Sequence, residues 1–350
     1  MKIIHCADVH LGSQMKKFPK DKAEERAREL RDSFSRLIEY ARREGINSIL
    51  LAGDVFDSDR PFKKDKEFFY SAVRRNADIN FYYLRGNHDG KESYTETIDN
   101  LKTFGEEWTG YNLGENVCLY GLEMTSGNCE SMYSSLKPEA NNLNIVVLHG
   151  AVGESVGLYS ISIPKLKNKN IDYLALGHYH SHYIKPLDGR GQFAYSGCLE
   201  GRGFDETGEK GFIVYDTDAK EARFVPFACR TVEEIDCDVS DASDGYGAAM
   251  KIRANLNVNP KNLLRVNLVG ELGYIDENLA ADVEKYLSGV CSYVSVKDRT
   301  SLKSDYSGFV DSRSLKGEFV RLALEENMDE NDRQIILDLG LKALSGQADR

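Results

Sequence analysis

The sequence has no apolar run of membrane-spanning length, no Cys-x-x-Cys pair, and only 7 prolines in 350 residues. A transmembrane helix needs about 20 predominantly apolar residues, so we expect no membrane-spanning segment. The 7 cysteines are odd in number and dispersed, which is typical of reduced thiols and argues against a zinc ribbon. No long apolar segment with a cleavage site follows Met1, and we therefore expect a cytoplasmic protein.

Positive charge is also scarce. The chain has 45 basic and 56 acidic residues, which gives a net charge of −11. This balance disfavours a protein that binds nucleic acid over its whole surface. A polyanionic substrate would need metal ions, a local basic patch or a partner to overcome the repulsion. With 41% hydrophobic and 29% charged residues, the chain is predicted to be globular, with two or three domains.

The first two thirds of the sequence alternate short apolar runs with amphipathic patterns. Helices are predicted at residues 21–44, 63–75 and 92–107. Strands are predicted at residues 2–7, 48–52, 80–84, 117–122, 144–148, 171–176, 192–195 and 211–215. Alternating strands and helices followed by closely spaced strands predict an α/β fold with more than one sheet.

The composition changes after a predicted turn at residues 216–220. Strands at 224–227, 264–269 and 293–296, around a helix at 277–287, predict a smaller α+β domain. Two further helices are predicted at 315–326 and 330–344, with Asp329 as the N-cap of the second. We therefore expect domains at residues 1–220 and 221–300, and a helical tail at 301–350.

Histidines and carboxylates are concentrated at the ends of the predicted strands. All 7 histidines lie in the first 182 residues, and five of them belong to polar motifs that end or follow an apolar run. These motifs are Asp8-Val9-His10, Gly53-Asp54, Gly86-Asn87-His88-Asp89, His149-Gly150 and Gly177-His178-Tyr179-His180. Because the carboxyl ends of strands line the ligand crevice of an α/β sheet, we expect these side chains to converge. Oxygen and imidazole donors without thiolate suit Mn²⁺, Fe or Zn²⁺, and a carboxylate between two clusters predicts a two-metal hydrolytic centre.

The order of these motifs resembles the calcineurin-like metallophosphoesterase superfamily. Three longer segments resemble its nuclease branch, the Mre11 and SbcD DNA repair nucleases: residues 5–12 (HCADVHLG), 53–61 (GDVFDSDRP) and 195–202 (YSGCLEGR). Ser196 stands where that branch usually has proline. The Arg-Gly pair of protein phosphatases is missing, since Ser58-Asp59 follows Asp57. The resemblance covers residues 1–215 and implies a four-layer α/β/β/α sandwich with a smaller α+β capping domain and C-terminal helices.

The resemblance also implies a role for each motif residue. His88 would contact the phosphate or protonate the leaving oxygen, and Asp57 would orient His88. A loop-capping carboxylate is the alternative for Asp57. The implied metal ligands form two sets with a shared bridge: Asp8, His10 and His180 for one ion, Asn87, His149 and His178 for the other, and Asp54 between them.

The function that the resemblance implies is a Mn²⁺-dependent DNA nuclease subunit in DNA repair, acting as an exonuclease or endonuclease through hydroxide activated by two metal ions. It further implies a coiled-coil ATPase partner of the SbcC or Rad50 type, docked by the C-terminal helices, and a homodimer. For these helices, packing against their own chain is the alternative. A general phosphoesterase acting on cyclic nucleotides, small phosphodiesters or phosphoprotein is the alternative function, because the metal chemistry does not select the alcohol.

Other polar residues have simpler interpretations. His5 lies within a predicted buried strand and is expected to be a hydrogen-bonded core residue. His182 is expected in a solvated loop, with a groove contact as the alternative, and Tyr179 fits packing and substrate contact equally. The arginines of the first helix fit a solvated face of ion pairs. Residues 60–64 (RPFKK) form a small basic cluster that could hold a DNA backbone.

Overall fold

The computed structural model describes residues 1–153, 157–272, 276–302, 306–310 and 312–344. The chain divides into two compact units, Met1–Glu233 with Lys261–Leu263 and Glu234–Pro260 with Leu264–Arg350. No helix within the described ranges is long and apolar enough to cross a membrane. The three-part division expected from the sequence stays a prediction.

The strands and helices are numbered along the chain. The strands are β1 (Lys2–Cys6), β2 (Ser48–Ala52), β3 (Asn80–Leu84), β4 (Leu101–Thr103), β5 (Thr109–Gly114), β6 (Val117–Gly121), β7 (Leu143–His149), β8 (Ala151–Val152), β9 (Ser160–Ile161), β10 (Tyr173–Gly177), β11 (Tyr183–Pro186), β12 (Gln192–Tyr195), β13 (Gly211–Asp216), β14 (Glu221–Pro226), β15 (Val232–Asp238), β16 (Leu263–Val269), β17 (Glu271–Leu272), β18 (Tyr293–Asp298) and β19 (Ser301–Leu302). The helices are α1 (Lys20–Arg43), α2 (Lys63–Arg75), α3 (Met132–Ser135), α4 (Ile163–Leu166), α5 (Gly245–Asn255), α6 (Leu279–Leu287), α7 (Ser307–Val310), α8 (Leu315–Glu325) and α9 (Glu330–Leu344).

Two six-stranded sheets form the first unit. The first sheet has the order β14-β13-β1-β2-β3-β4 and the second has the order β11-β12-β10-β7-β6-β5. Strands β1 to β4 run parallel, as do β6, β7, β10 and β12. Strand β13 pairs antiparallel with β1, β14 with β13, β5 with β6 and β11 with β12. The predicted α/β class is therefore confirmed.

The two sheets pack face to face around one apolar core. Leu50 and Ala52 of the first sheet share this core with Val147 and Ala175 of the second. Every residue of β2 is buried, as expected for a parallel strand covered on both faces. Such a strand reads as a continuous apolar run in the sequence.

Helices cover the outer faces of both sheets and complete the predicted α/β/β/α layering. On the first sheet, Tyr40 of α1 packs against Phe212 of β13, with ring centroids 5.0 Å apart. Phe69 of α2 packs against Tyr83 of β3, at 5.6 Å. On the second sheet, the short helices α3 and α4 add apolar side chains, such as Leu166, to a core with β7 and β10.

The prediction of a helix at residues 92–107 is wrong. This stretch forms a 3₁₀ turn at Lys91–Ser93 and the strand β4, which pairs with β3. Asn100 Nδ2 donates hydrogen bonds to three backbone carbonyls in α2 and in the turn after it, at 2.8–3.0 Å. These tertiary contacts outweigh the local helical pattern.

The second unit contains the three-stranded sheet β15-β16-β18, with α5 and α6 packed on it. The sequence does not predict α5, because Gly245 and Gly247 are poor helix formers. Its start is instead set by the Asp244 carboxylate, which accepts a hydrogen bond from the Gly247 N–H at 2.7 Å.

The C-terminal helices α8 and α9 pack against each other through Val320, Ala323 and Leu337. Asp329 Oδ1 accepts a hydrogen bond from the Asp332 N–H at 3.0 Å, as the predicted N-cap requires. Other apolar side chains of these helices are largely exposed: Leu315 (72%), Leu322 (56%), Ile335 (49%) and Leu339 (59%), whereas Phe319 packs against this small core.

A buried ion pair ties α1 to the loop after β12. Arg26 and Glu200 are both fully buried, and their charged groups meet at 2.9 Å. The other carboxylate oxygen of Glu200 accepts hydrogen bonds from the Ser33 hydroxyl and the Cys229 N–H, each at 2.6 Å. Arg26 also pairs with Glu29, so removal of Glu200 would leave the buried guanidinium with part of its compensation and would remove the acceptor of Ser33 and Cys229.

We predict that Glu200→Ala lowers the free energy of unfolding by about 3–5 kcal/mol, because the buried Arg26 keeps Glu29 but loses Glu200, and Ser33 and the Cys229 N–H lose their acceptor. Urea unfolding followed by circular dichroism measures the change. Arg42→Ala serves as the control, since Arg42 pairs with Asp78 on the open surface and its loss should leave the midpoint near the wild-type value. Equal midpoints for Glu200→Ala and the wild type would contradict the prediction.

Candidate metal centre

The polar motifs meet where the strands of the two sheets end. Asp8 and His10 follow β1, Asp54 follows β2, and Asn87 follows β3 in the first sheet. In the second sheet, His149 ends β7, and His178 and His180 follow β10. The parallel strands present these ends on the same side, so the convergence predicted from the motifs is confirmed.

One group of donor atoms comes from Asp8, His10 and His180. The Nε2 atoms of His10 and His180 are 3.3 Å apart, and His180 Nε2 lies 3.8 Å from Asp8 Oδ1. One ligand atom from each of the three residues fits within a 4.8 Å cluster. These are the residues that the resemblance assigns to one ion.

A second group comes from Asn87, His149 and His178. Asn87 Oδ1 lies 2.9 Å from His149 Nε2 and 2.9 Å from His178 Nδ1. The second set expected from the resemblance is thus also assembled. His178 and His180, two residues apart, point into different sets.

Asp54 lies between the two groups. Its Oδ2 is 3.3 Å from His149 Nε2 and 3.9 Å from His10 Nε2, so one oxygen faces a member of each set. Its Oδ1 accepts a hydrogen bond from the His88 N–H at 2.7 Å. This is the placement that a bridging carboxylate needs.

Three of the imidazoles are held by an oxygen behind them. Nδ1 of His10 lies 3.0 Å from Asp57 Oδ1, that of His149 lies 2.9 Å from the Ala52 carbonyl, and that of His180 lies 2.8 Å from Glu206 Oε1. A carbonyl or carboxylate oxygen only accepts, so in the neutral imidazoles of His149 and His180 the proton is on Nδ1 and the Nε2 lone pair is directed to the centre. This arrangement fits divalent cations with oxygen and nitrogen ligands.

Close backbone approach requires glycine before two of the ligands. A Cβ atom on Gly53 would lie 2.1 Å from His149 Nδ1, and one on Gly86 would lie 2.2 Å from Asp54 Oδ1. Either side chain would displace a ligand. The glycines of the Gly-Asp and Gly-Asn-His-Asp motifs are therefore steric requirements of the centre.

Burial and neighbouring charge shift the acid–base properties of the centre. Burial raises the pKa of Asp8 to about 7. Burial opposes the charge on His149, but the Asp54 and Asp8 carboxylates outweigh it and raise the pKa of His149 to about 9. Burial opposes ionisation of Asp54 as well, yet His149 and His10 hold its pKa below the usual range.

The predicted pairing of the Asp57 carboxylate with His88 needs correction. Asp57 Oδ1 instead accepts a hydrogen bond from Arg202 Nη1 at 2.7 Å and faces His10 Nδ1. His88 Nδ1 lies 3.4 Å from the backbone carbonyl of Asp57, and the His88 ring is exposed. The carboxylate is hydrogen-bonded to the guanidinium and lies beside the buried imidazole; one of its oxygens is within 4.8 Å of a His88 ring nitrogen, and no hydrogen bond joins the two side chains among the described residues.

Sequence reasoning missed three supporting residues. Asp89 is buried, and its carboxylate accepts three backbone hydrogen bonds, from Val55 and Gly86 at 3.1 Å and from Phe56 at 2.9 Å. It thereby joins the loops after β2 and β3. Its place at the end of the Gly-Asn-His-Asp motif could have signalled this role. The other two are Arg202 and Glu206. Arg202 is the last residue of the segment 195–202 that resembles the nuclease branch, and Glu206 follows four residues later.

The remaining histidines lie outside the two sets. His5 is buried, with Nδ1 2.7 Å from the Tyr173 hydroxyl and Nε2 3.1 Å from the Leu176 carbonyl, and burial lowers its pKa to about 3. It is the core residue that the sequence predicts. His182 is exposed and stacks on Phe224 with ring centroids 3.5 Å apart. Tyr179 is 41% exposed and meets the edge of Tyr195.

We predict that Mn²⁺ binding releases about one to two protons per chain at pH 7 and strengthens as the pH rises from 6 to 9. Without metal, His149 with a pKa of about 9 is protonated at pH 7, and Asp8 with a pKa of about 7 is half protonated. Both must lose their protons to become ligands. Calorimetric titration in buffers of different ionisation enthalpy counts the protons.

The matched control is His182→Ala, which removes an exposed histidine away from both sets and should leave the proton count unchanged. Mn²⁺ binding without proton release at pH 7 would contradict the assignment of these donors.

The family profile described as "Calcineurin-like phosphoesterase" matches residues 1–182. The chain is 29% identical over 256 residues to "DNA double-strand break repair protein Mre11" of Sulfurisphaera tokodaii, covering 68% of this chain and 63% of that protein. It is 25% identical over 345 residues to the protein of the same name from Sulfolobus acidocaldarius, covering 89% and 88%. It is 27% identical over 229 residues to "Uncharacterized metallophosphoesterase YhaO" of Bacillus subtilis, covering 60% and 56%.

The profile match covers more than half of the chain and contains the candidate ligand residues. The similarity to several Mre11 proteins supports the Mre11-type branch expected from the sequence. The chain therefore belongs to the calcineurin-like phosphoesterase family, whose members hydrolyse phosphoesters at a binuclear metal centre.

Proposed function

We propose that this protein is a metal-dependent nuclease that hydrolyses phosphodiester bonds in DNA. The observation that carries the proposal is an open groove of about 400 Å³ beside the candidate centre, on the side of the residues that support His10 and His180. Asp57 and Arg202, which support the ligands His10 and His180, form part of its wall. A polymer backbone can lie in such a groove, whereas a small substrate is usually enclosed in a pocket.

The groove carries positive charge although the whole chain is acidic. Its lining includes four basic and three acidic side chains. Arg202 is paired with Asp57 and Glu206, and Lys17 with Asp205. No ion pair to Lys16 or Arg60 is formed within the described part of the chain, so these two cations remain available for phosphates.

An exposed aromatic ring lies in the same groove. Phe62 is 54% exposed, and Lys64 Nζ sits 5.8 Å from its ring centroid. Stacking of a base on an exposed aromatic ring beside a cationic track is typical of proteins that bind single-stranded nucleic acid. In this proposal, the basic cluster at residues 60–64 contributes cations for the phosphates and an aromatic ring for a base.

The proposed ligands are those of the two sets: Asp8, His10 and His180 for one ion, Asn87, His149 and His178 for the other, and Asp54 for both. When bound, two divalent cations supply a water of lowered pKa and neutralise charge on the phosphate. We propose Mn²⁺ for both positions, because the donors are carboxylate, amide and imidazole without thiolate. The chain's own contribution is to hold these donors in place before the cations arrive.

His88 is proposed as the group that contacts the phosphate or protonates the leaving oxygen. Its ring is exposed, lies 5.0 Å from the His10 ring and faces it edge-on. The backbone N–H of His88 donates a hydrogen bond to Asp54, and this bond fixes His88 next to the proposed bridging carboxylate. A histidine outside the ligand sets keeps its ring nitrogens available to donate to a phosphate or a leaving oxygen.

The proposed partner is a coiled-coil ATPase of the SbcC or Rad50 type, docked through α8 and α9. The support is the exposed apolar side chains of these helices, including Leu315 and Leu339. Amphipathic helices with an exposed apolar face commonly bind a partner in this way. The homodimer implied by the resemblance stays a prediction.

We predict that the protein with Mn²⁺ cleaves labelled single-stranded, blunt-ended or hairpin DNA and that His88→Ala lowers turnover at least about 100-fold while Mn²⁺ binding persists. Asp8→Asn should remove both binding and cleavage. A panel of these DNAs with cyclic nucleotides and a phosphopeptide measures the substrate class, and calorimetry measures the metal.

The blank for the panel is the Asp8→Asn protein, which excludes a contaminating nuclease. Turnover of cyclic nucleotides or phosphopeptide with intact DNA would contradict the nuclease proposal and leave a general phosphoesterase. Full cleavage by His88→Ala would show that another group serves the leaving oxygen.

We also predict that Lys16→Ala and Arg60→Ala weaken DNA binding to the same degree for any sequence. Each should reduce the slope of log Kd against log salt by about 1, because each removes one phosphate contact. Fluorescence anisotropy over a salt series measures the slope. Lys165→Ala is the control, since Lys165 lies on α4 and pairs with Glu130. An unchanged slope in both groove variants would place the DNA elsewhere.

A further inference from the structure

The guanidinium of Arg202 lies between two carboxylates behind the candidate centre. Nη1 donates to Asp57 Oδ1 at 2.7 Å, and Nη2 donates to Glu206 Oε1 at 2.7 Å. The side chain of Arg202 is only 16% exposed, and that of Glu206 only 6%. The planar guanidinium therefore fixes the carboxylates of Asp57 and Glu206, which come from distant parts of the sequence.

Each of these carboxylate oxygens also lies against an imidazole of the same ligand set, by a hydrogen bond for His180 and by close contact for His10. Asp57 Oδ1 lies 3.0 Å from His10 Nδ1, and Glu206 Oε1 lies 2.8 Å from His180 Nδ1. The Nε2 atoms of the two histidines face each other at 3.3 Å. The five side chains thus form a closed ring of contacts, in which Arg202 is opposite the two Nε2 atoms.

The other ligand set is held differently. Behind His149, the acceptor for Nδ1 is the neutral backbone carbonyl of Ala52. His178 Nδ1 faces Asn87 within its own set. The charged outer contacts are therefore on the side of Asp8, His10 and His180, and a change at Arg202 should act on one ion more than on the other.

A role limited to holding the loop does not account for this geometry. Glu206 Oε2 already accepts the backbone N–H of Arg202 at 2.7 Å, which closes the loop without the guanidinium. The guanidinium instead reaches across to Asp57, 145 residues away in the sequence. A lysine has a single ammonium and cannot offer the same fork to both carboxylates.

We infer that Arg202 is a positioning residue that sets the metal affinity of the Asp8–His10–His180 site by fixing Asp57 and Glu206 behind the two imidazoles. The inference rests on the metal centre of the proposed function but not on the nature of the substrate. Loss of such outer contacts typically lowers metal affinity 10- to 100-fold.

The test is a calorimetric Mn²⁺ titration of the full chain, with electron paramagnetic resonance to detect the spin-coupled Mn²⁺ pair. For Arg202→Gln we expect one of the two sites to weaken about 10- to 100-fold and the other to stay near the wild-type affinity. The coupled signal should then appear only at higher Mn²⁺ concentration. Arg202→Lys should weaken the same site, because a lysine keeps the positive charge but cannot hydrogen-bond to both carboxylates at once.

The matched control is Arg190→Gln, since Arg190 also donates twice to a buried carboxylate, that of Asp172, but away from the centre. It should leave both affinities unchanged. Should Arg202→Gln melt below the assay temperature in EDTA, Arg202→Lys decides the question.

The outcomes separate the two proposals. If the wild type binds fewer than two Mn²⁺, the proposed centre is wrong whatever the variants do. If the wild type binds two and Arg202→Lys retains both affinities, or if both sites weaken equally, the role of Arg202 is wrong and the centre stands.

Discussion

The hydrogen bond from His149 Nδ1 to the Ala52 carbonyl joins the end of β7 in one sheet to the end of β2 in the other, at 2.9 Å. A Cβ atom on Gly177, at the end of β10, would lie 1.9 Å from the same carbonyl. The two sheets can approach this closely only where small residues stand at their ends. Because the donor atoms of both ligand sets follow these strand ends, the spacing of the sheets sets the spacing of the donors.

Backbone strain at the strand ends is part of the same arrangement. Asp8, His10 and Asp54 each have a φ of 51°, and His178 has a φ of 105°. Left-handed conformations of this kind cost about 1–3 kcal/mol each and persist only when the surroundings hold them. Here the Asp8 N–H donates to the Gly53 carbonyl at 3.0 Å, and the His10 N–H donates to the Asp54 carbonyl at 2.9 Å. The fold itself therefore orients the donors, so that cation binding does not require them to rearrange.

Charge is distributed unevenly around this centre. The chain as a whole carries −11, yet the groove beside Asp57 offers Lys16 and Arg60 to an anionic chain. Family membership accounts for the hydrolysis of a phosphoester at metal ions, and the polymeric substrate is our proposal. The carboxylates that support His10 and His180 are compensated by Arg202, so they strengthen the ligands without making the groove acidic.

The sequence by itself predicted the candidate ligand residues, through their motifs, and most of the elements that carry them. The strands β2 and β3 and the helices α2 and α9 have the predicted bounds, because their apolar runs and periodicity are local properties. Asp8 and His10 could be predicted as neighbours from their spacing alone. Only the tertiary structure decided that residues 92–107 contain a strand, that Asp57 serves His10 instead of His88, and that Arg202 and Glu206 stand behind the centre. These outcomes depend on contacts between residues far apart in the chain, whose energies outweigh local preference and leave no periodic pattern in the sequence.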